Sequence, residues 1–176
     1  MDNYFTLFNL PETFRPDTSL VKQMFYRLSK QFHPDRVAQA DPASQAEVLT
    51  KAAMLNDAYK TLSNADLTMA YILKLHQLLE EEEKYALPPD FLMEMMNINE
   101  LLSDYEAMPQ DERLKSQVEQ ALAEQLALWE AEVRPLVLAF EEAPNGPELL
   151  VKIKDFYFRK KYLLRIRERL TTFALR

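Results

Sequence analysis

The chain has 176 residues, 48% of them hydrophobic, with one Gly, no Cys and a formal charge of −7. That length holds one medium core or two small ones. The lack of Cys excludes disulfides, thiol catalysis and thiolate metal sites, and the two His, at 33 and 76, leave little for metal binding or general base chemistry. Abundant Leu, Ala, Glu, Lys, Gln and Met with a single Gly predict an all-α protein.

In chain order, Tyr4-Phe5-Thr6-Leu7-Phe8 is a short apolar segment suited to a brief helix, and Pro11 and Pro16 bound a loop after it. The start, Met1-Asp2-Asn3-Tyr4-Phe5, has no basic run and no long apolar stretch, so no signal or transit peptide is expected. Asp17-Thr18-Ser19 offers N-caps for a helix from about 19 to 32, with Leu20, Met24, Leu28 and Phe32 at i+4 spacing beside Val21 and Phe25. Lys22, Arg27 and Lys30 fall mostly off that stripe. Pro34 stops the helix, because proline disfavours helical backbone in the residue before it. Asp41-Pro42 opens the next helix, with an apolar face of Val48, Ala52, Leu55, Ala58, Tyr59 and Leu62, closed by Ser63-Asn64. A fourth helix, roughly 66–79, carries Leu67, Ala70, Tyr71, Leu73, Leu75 and Leu78.

Glu80 to Glu83 read as a solvated helix end or linker, and Pro88-Pro89-Asp90 as a stop and a new N-cap. The domains expected are 1–79 and 89–176, with residues 80–88 as the linker. Three long helical patterns follow. The first spans about 90–107. The second begins near Asp111 and carries Leu114, Val118, Ala121, Leu122, Gln125, Leu128 and Trp129, and Pro135 is expected to kink or end it. After the loop Pro144-Asn145-Gly146-Pro147, the third runs from about 148 to 173. Short connections make these helices antiparallel neighbours, so a three-helix bundle is the expected packing. Residues 76–150 hold four basic and eighteen acidic side chains, residues 151–176 nine basic and two acidic, so the two stretches should attract each other. The acidic neighbours oppose a phosphate backbone, and nucleic-acid binding is not expected. No run of about 20 apolar residues is present, so no membrane span is expected and a cytoplasmic protein is the default.

Two features carry function. His33-Pro34-Asp35 stands between two amphipathic helices, with no Ser, Cys or second His nearby to complete a catalytic constellation. On the 90–107 helix, Phe91, Met95, Ile98, Leu102 and Tyr105 form a complete core stripe. Leu92, Met93 and Met96 lie roughly 100° to 200° around the helix from it. Glu100 and Asp104 continue that second face. From pattern alone, these apolar residues either pack under another element or meet a partner. Trp129, the Phe156-Tyr157-Phe158 run and His76 read as packing or surface residues.

A helix, a His-Pro-Asp turn and a second helix resemble a J-domain, which binds a DnaK-type chaperone and triggers its ATP hydrolysis. The whole chain resembles the HscB family, the J-type co-chaperones of iron–sulfur cluster assembly. The likeness lies in Tyr4 to Pro11, Arg27 to Arg36, Asn56 to Leu62, Ala70 to Leu75 and Phe91 to Glu94, and is weak between about 108 and 150. It implies an N-terminal J-domain and a C-terminal bundle, no catalytic residue, no metal and no cofactor. It also implies two partners, an HscA/DnaK-type ATPase and an IscU-type scaffold. His33, Pro34 and Asp35 would engage the ATPase, helped by Lys22, Arg27, Lys30 and Arg36. Leu92, Met93, Met96, Asn97, Glu100 and Asp104 would bind the scaffold, Asn97 standing where the family often has an acidic residue. An aromatic of the last helix belongs to that site, Tyr162 as the best match and Phe158 as the other choice. The rivals are a J-protein with a different client and an unrelated helical enzyme, the latter disfavoured by the missing constellation.

Overall fold

The computed structural model describes residues 3–37, 39–142 and 146–174, and no strand occurs among them. The helices are α1 (Tyr4–Leu7), α2 (Thr18–Gln31), α3 (Pro42–Leu62), α4 (Ala65–Leu75), α5 (Pro89–Ala107), α6 (Glu112–Glu142) and α7 (Pro147–Ala174), with a 3-10 turn at Pro34–Val37. The chain divides into two compact units, Met1–Leu79 and Glu80–Arg176.

In the first unit, α2 and α3 form a hairpin, and α1 and α4 pack on α3. Caps fix the helix starts. The Asp17 carboxylate accepts from the N–H groups of Ser19 and Leu20. Asp41 accepts from Ala43 and Ser44, and Asn64 from Asp66 and Leu67. The hydroxyl and N–H bonds from Ser44 hold the exposed Asp41 carboxyl below its ordinary pKa. Asn64 thus starts α4, while Ser63 closes α3. The fourth helix stops at Leu75, short of the expected 79. Gln77 turns left-handed at φ 58°, and the Leu78 N–H reaches back to the Leu73 carbonyl at 2.8 Å. Asn9, at φ 52°, ends α1 in the same way.

The core is Phe5, Phe8, Phe14, Val21, Leu55, Ala58, Leu62, Met69, Ile72 and Leu73. Two expected faces are rotated. Leu20 is exposed and Val21 is buried, because the α2 stripe runs through Val21, Met24, Phe25 and Leu28, with Phe25 stacked 4.3 Å from Tyr59. On α4, Leu67 is exposed, and the inward face is Thr68, Met69, Ile72 and Leu73. Thr68 can be buried because its hydroxyl donates to the Thr61 carbonyl at 2.9 Å. His76 bonds the Glu12 carboxylate at 2.6 Å.

In the second unit, α5, α6 and α7 pack pairwise into a bundle. Helix α5 buries Phe91, Met95, Ile98, Leu102 and Tyr105. Its N-cap is Pro88, not Asp90, and Asp90 lies in the first turn, where a carboxylate suits the positive end of the helix dipole. Helix α6 buries Val118, Leu122, Trp129, Val133, Val137 and Phe140 and continues through Pro135 instead of ending there. Pro135 and Ala131, whose carbonyl loses its helical donor, are both exposed, so water can satisfy that carbonyl. Val133 and Val137 hold the helix against the core on either side of the proline. The Trp129 indole donates to the Phe156 carbonyl at 2.7 Å.

Residues 80–88 contain no helix, yet they pack along α7. Tyr85 stacks on Phe158 at 4.4 Å and donates to Asp155, and Lys154 meets Glu83 at 2.5 Å. Lys154 lowers the pKa of the Glu83 carboxyl, and burial followed by the Asp155 bond raises that of the Tyr85 phenol. Arg169 on α7 grips Glu106 on α5, with Nε 2.7 Å from Oε1. These pairs join the acidic middle of the chain to its basic end.

Candidate functional site

The His-Pro-Asp segment leaves α2 after Phe32, whose N–H still bonds the Leu28 carbonyl at 2.9 Å. Pro34 opens the 3-10 turn. The Asp35 N–H donates to His33 Nδ1 at 3.3 Å, and one Asp35 carboxylate oxygen lies 3.4 Å from the same nitrogen. Both contacts are long and the side chains are 57% and 89% exposed, so they add little to the stability of the turn. The turn therefore presents a histidine and a carboxylate outward and does not use them to hold itself together.

Lys22, Arg27 and Lys30 are exposed on α2. Tyr26, which the pattern did not single out, stands 57% exposed on the same helical face as Lys22 and Lys30, four residues from each. A large exposed aromatic between two lysines is legible in the spacing, but only once Val21 fixes the buried direction. Arg36 belongs to the 3-10 turn by its backbone, and its side chain lies outside the described residues.

On α5 the second face is uncovered. Leu92, Met93 and Met96 are 40%, 66% and 58% exposed, while Met95 beside them is 0% exposed. Leu92, Met96, Glu100, Asp104 and Tyr162 line one open groove of about 530 Å³, whose wall Asn99 and Ser103 complete. Met93 and Asn97 are exposed but do not line it. Tyr162 comes from α7, 70 positions after Leu92 in the chain, so no local pattern could join the two. Phe158, one turn earlier, is buried beneath Tyr85. Tyr162 also lines a second groove of about 510 Å³, with Tyr85, Lys161 and Arg165 among its walls. Among the described residues, no group of His, Cys, Asp or Glu side chains could hold a metal ion, and no helix is long and apolar enough to cross a membrane.

A J-domain hairpin with an outward His-Pro-Asp turn, in one chain with a helical bundle bearing an apolar face, defines a J-type co-chaperone. Residues 87–171 match the family model of the HscB C-terminal oligomerisation domain. The chain is similar to the human co-chaperone HscB in its crystal structure, at 26% identity and a TM-score of 0.79, over 98% of this chain and 82% of that one. It is also similar to the chaperone HscB of Vibrio cholerae, at 29% identity and a TM-score of 0.64, over 96% of this chain and 99% of that one. With the match of residues 87–171, both likenesses identify the chain as similar to HscB, a J-type co-chaperone of iron–sulfur cluster assembly.

Proposed function

We propose that this protein stimulates ATP hydrolysis by an HscA/DnaK-type chaperone and delivers an IscU-type iron–sulfur scaffold to it. The observation that carries the reading is the pairing of two exposed features in one chain. One is the outward His33-Pro34-Asp35 turn beside Lys22, Arg27 and Lys30, and the other is the uncovered Leu92–Met96 face with Tyr162. The basic helix and turn meet an acidic chaperone surface, where such charges mainly speed encounter and fix orientation. Met93 and Met96 of α5 meet the scaffold, since unbranched thioether side chains adapt to a partner's contour. Glu100 and Asp104 give that contact a polar rim.

The test is steady-state ATPase of the chaperone with this protein, with and without scaffold. The expected result is stimulation by this protein that scaffold increases synergistically. His33→Gln or Asp35→Asn abolishes the stimulation and leaves scaffold binding and the melting temperature unchanged, because both side chains are exposed. Normal stimulation by either variant would refute the role of the turn. Scaffold pull-down that is unchanged by Leu92→Ala/Met96→Ala would refute the α5 face.

A further inference from the structure

Tyr162 is held in the groove by a residue that no spacing along the chain singles out. Asn99, half-buried on α5, directs its amide nitrogen at two oxygens, the Met95 carbonyl at 2.9 Å and the Tyr162 hydroxyl at 3.0 Å. The Met95 carbonyl can only accept, so it settles which end of the amide faces it. Both amide hydrogens are then committed, one to each oxygen. The Phe91 ring meets the Tyr162 ring edge-on at 5.9 Å, which fixes the phenol from a second side. An aromatic ring pinned by a neighbouring ring and a hydrogen bond loses little freedom when a partner arrives.

The direction of the bond determines what the phenol can offer. A tyrosine hydroxyl that accepts from an amide still has its own proton to give. We infer that Asn99 is a positioning residue of the partner-binding groove, which sets Tyr162 to donate its hydroxyl proton to an acceptor on the partner, a carbonyl or carboxylate oxygen. This rests on the reading of the Leu92–Met96 face as the scaffold site and adds the chemistry that the partner must bring. Apolar contact at Leu92 and Met96 accepts many surfaces, whereas a donor with a fixed direction selects one that places an acceptor opposite it. A partner with an apolar group there would leave the phenol proton without a bond, an arrangement that costs more than the bond itself contributes.

The experiment is calorimetric titration of a purified IscU-type scaffold into the full-length protein and four variants, Tyr162→Phe, Asn99→Ala, their double and Leu92→Ala/Met96→Ala, with a melting curve for each. Tyr162→Phe keeps the ring and its edge-on neighbour and removes only the hydroxyl. It is expected to weaken scaffold binding about threefold to tenfold, the range of one net hydrogen bond. Asn99→Ala is expected to weaken it by a similar factor. The double variant is expected to bind no worse than Tyr162→Phe alone, because Asn99 acts through the hydroxyl that is already gone. A merely structural role for Asn99 would lower the melting temperature and add its effect to that of Tyr162→Phe. Additive losses therefore overturn the positioning role. Unchanged binding in Tyr162→Phe overturns the donor role, and if Leu92→Ala/Met96→Ala still weakens binding, the groove survives as the scaffold site. If that last variant also binds normally, the scaffold reading fails and the inference fails with it.

Discussion

Met95 and Met96 are neighbours in sequence with opposite surroundings, one wholly buried and the other 58% exposed. A helix turns roughly 100° per residue, so a single step carries a side chain from core to solvent. Met95→Ala removes buried methylenes and leaves a cavity in the bundle, so it should destabilise the protein by about 2–5 kcal/mol. Met96→Ala should change stability by no more than about 0.5 kcal/mol. It should nonetheless weaken scaffold binding about tenfold, as truncation of an anchor at an interface does. Urea denaturation and scaffold titration of both variants check this, and a Met96→Ala protein that melts early would mean the face packs inside the molecule. The buried set on α5 was legible because five residues keep strict helical spacing. What no spacing could show is that Asn99, a polar residue of ordinary appearance, bonds a tyrosine 63 residues away. Position in space decides its role, and the chain must fold before that position exists.

Among the elements, α6 departs most from local expectation. A proline within a helix removes one hydrogen bond and crowds the preceding turn, at a cost of about 3 kcal/mol. The helix nevertheless runs on for seven residues after Pro135, to Glu142. Burial of Val133, Val137 and Phe140 offsets the lost bond, because each fills the bundle core only if the helical register is kept. Propensity is a local term, whereas packing is collective, and here packing prevails. Pro135→Ala should restore the hydrogen bond at an exposed position and stabilise the protein by about 1–3 kcal/mol, read as a higher denaturation midpoint with unchanged scaffold binding. Unchanged or lower stability would show that the helix is already bent to suit the proline. Tertiary packing also explains the rotated face of α4. Leu67 reads as core by its type, yet Thr68 is the buried residue, because the Thr61 carbonyl stands ready to accept its hydroxyl. A pattern of apolar letters cannot register that acceptor.

Taken whole, the molecule keeps the two features proposed to carry function on separate compact units, 1–79 with the His-Pro-Asp turn and 80–176 with the α5 groove. Each unit has its own buried core, Phe5, Val21, Leu55 and Ile72 in one and Met95, Leu102, Val118 and Ile153 in the other. If delivery is the function, the covalent join should matter more than either contact. Tethering makes the second binding event intramolecular, at an effective concentration in the millimolar range for a short connection. Separate polypeptides for residues 1–79 and 80–176 can each be titrated against one partner, the first against chaperone and the second against scaffold. Both should bind much as the intact chain does. Mixed at micromolar concentration with chaperone and scaffold, they should lose the synergy between scaffold and J-domain, because nothing brings the bound scaffold to the chaperone that the J-domain has engaged. Raising both pieces on the order of a hundredfold should recover part of it, as expected for a lost tether. Full synergy from the mixed pieces at micromolar concentration would mean that scaffold and J-domain act on the chaperone independently. The two-unit build would then be an accident of chain length and not the basis of delivery.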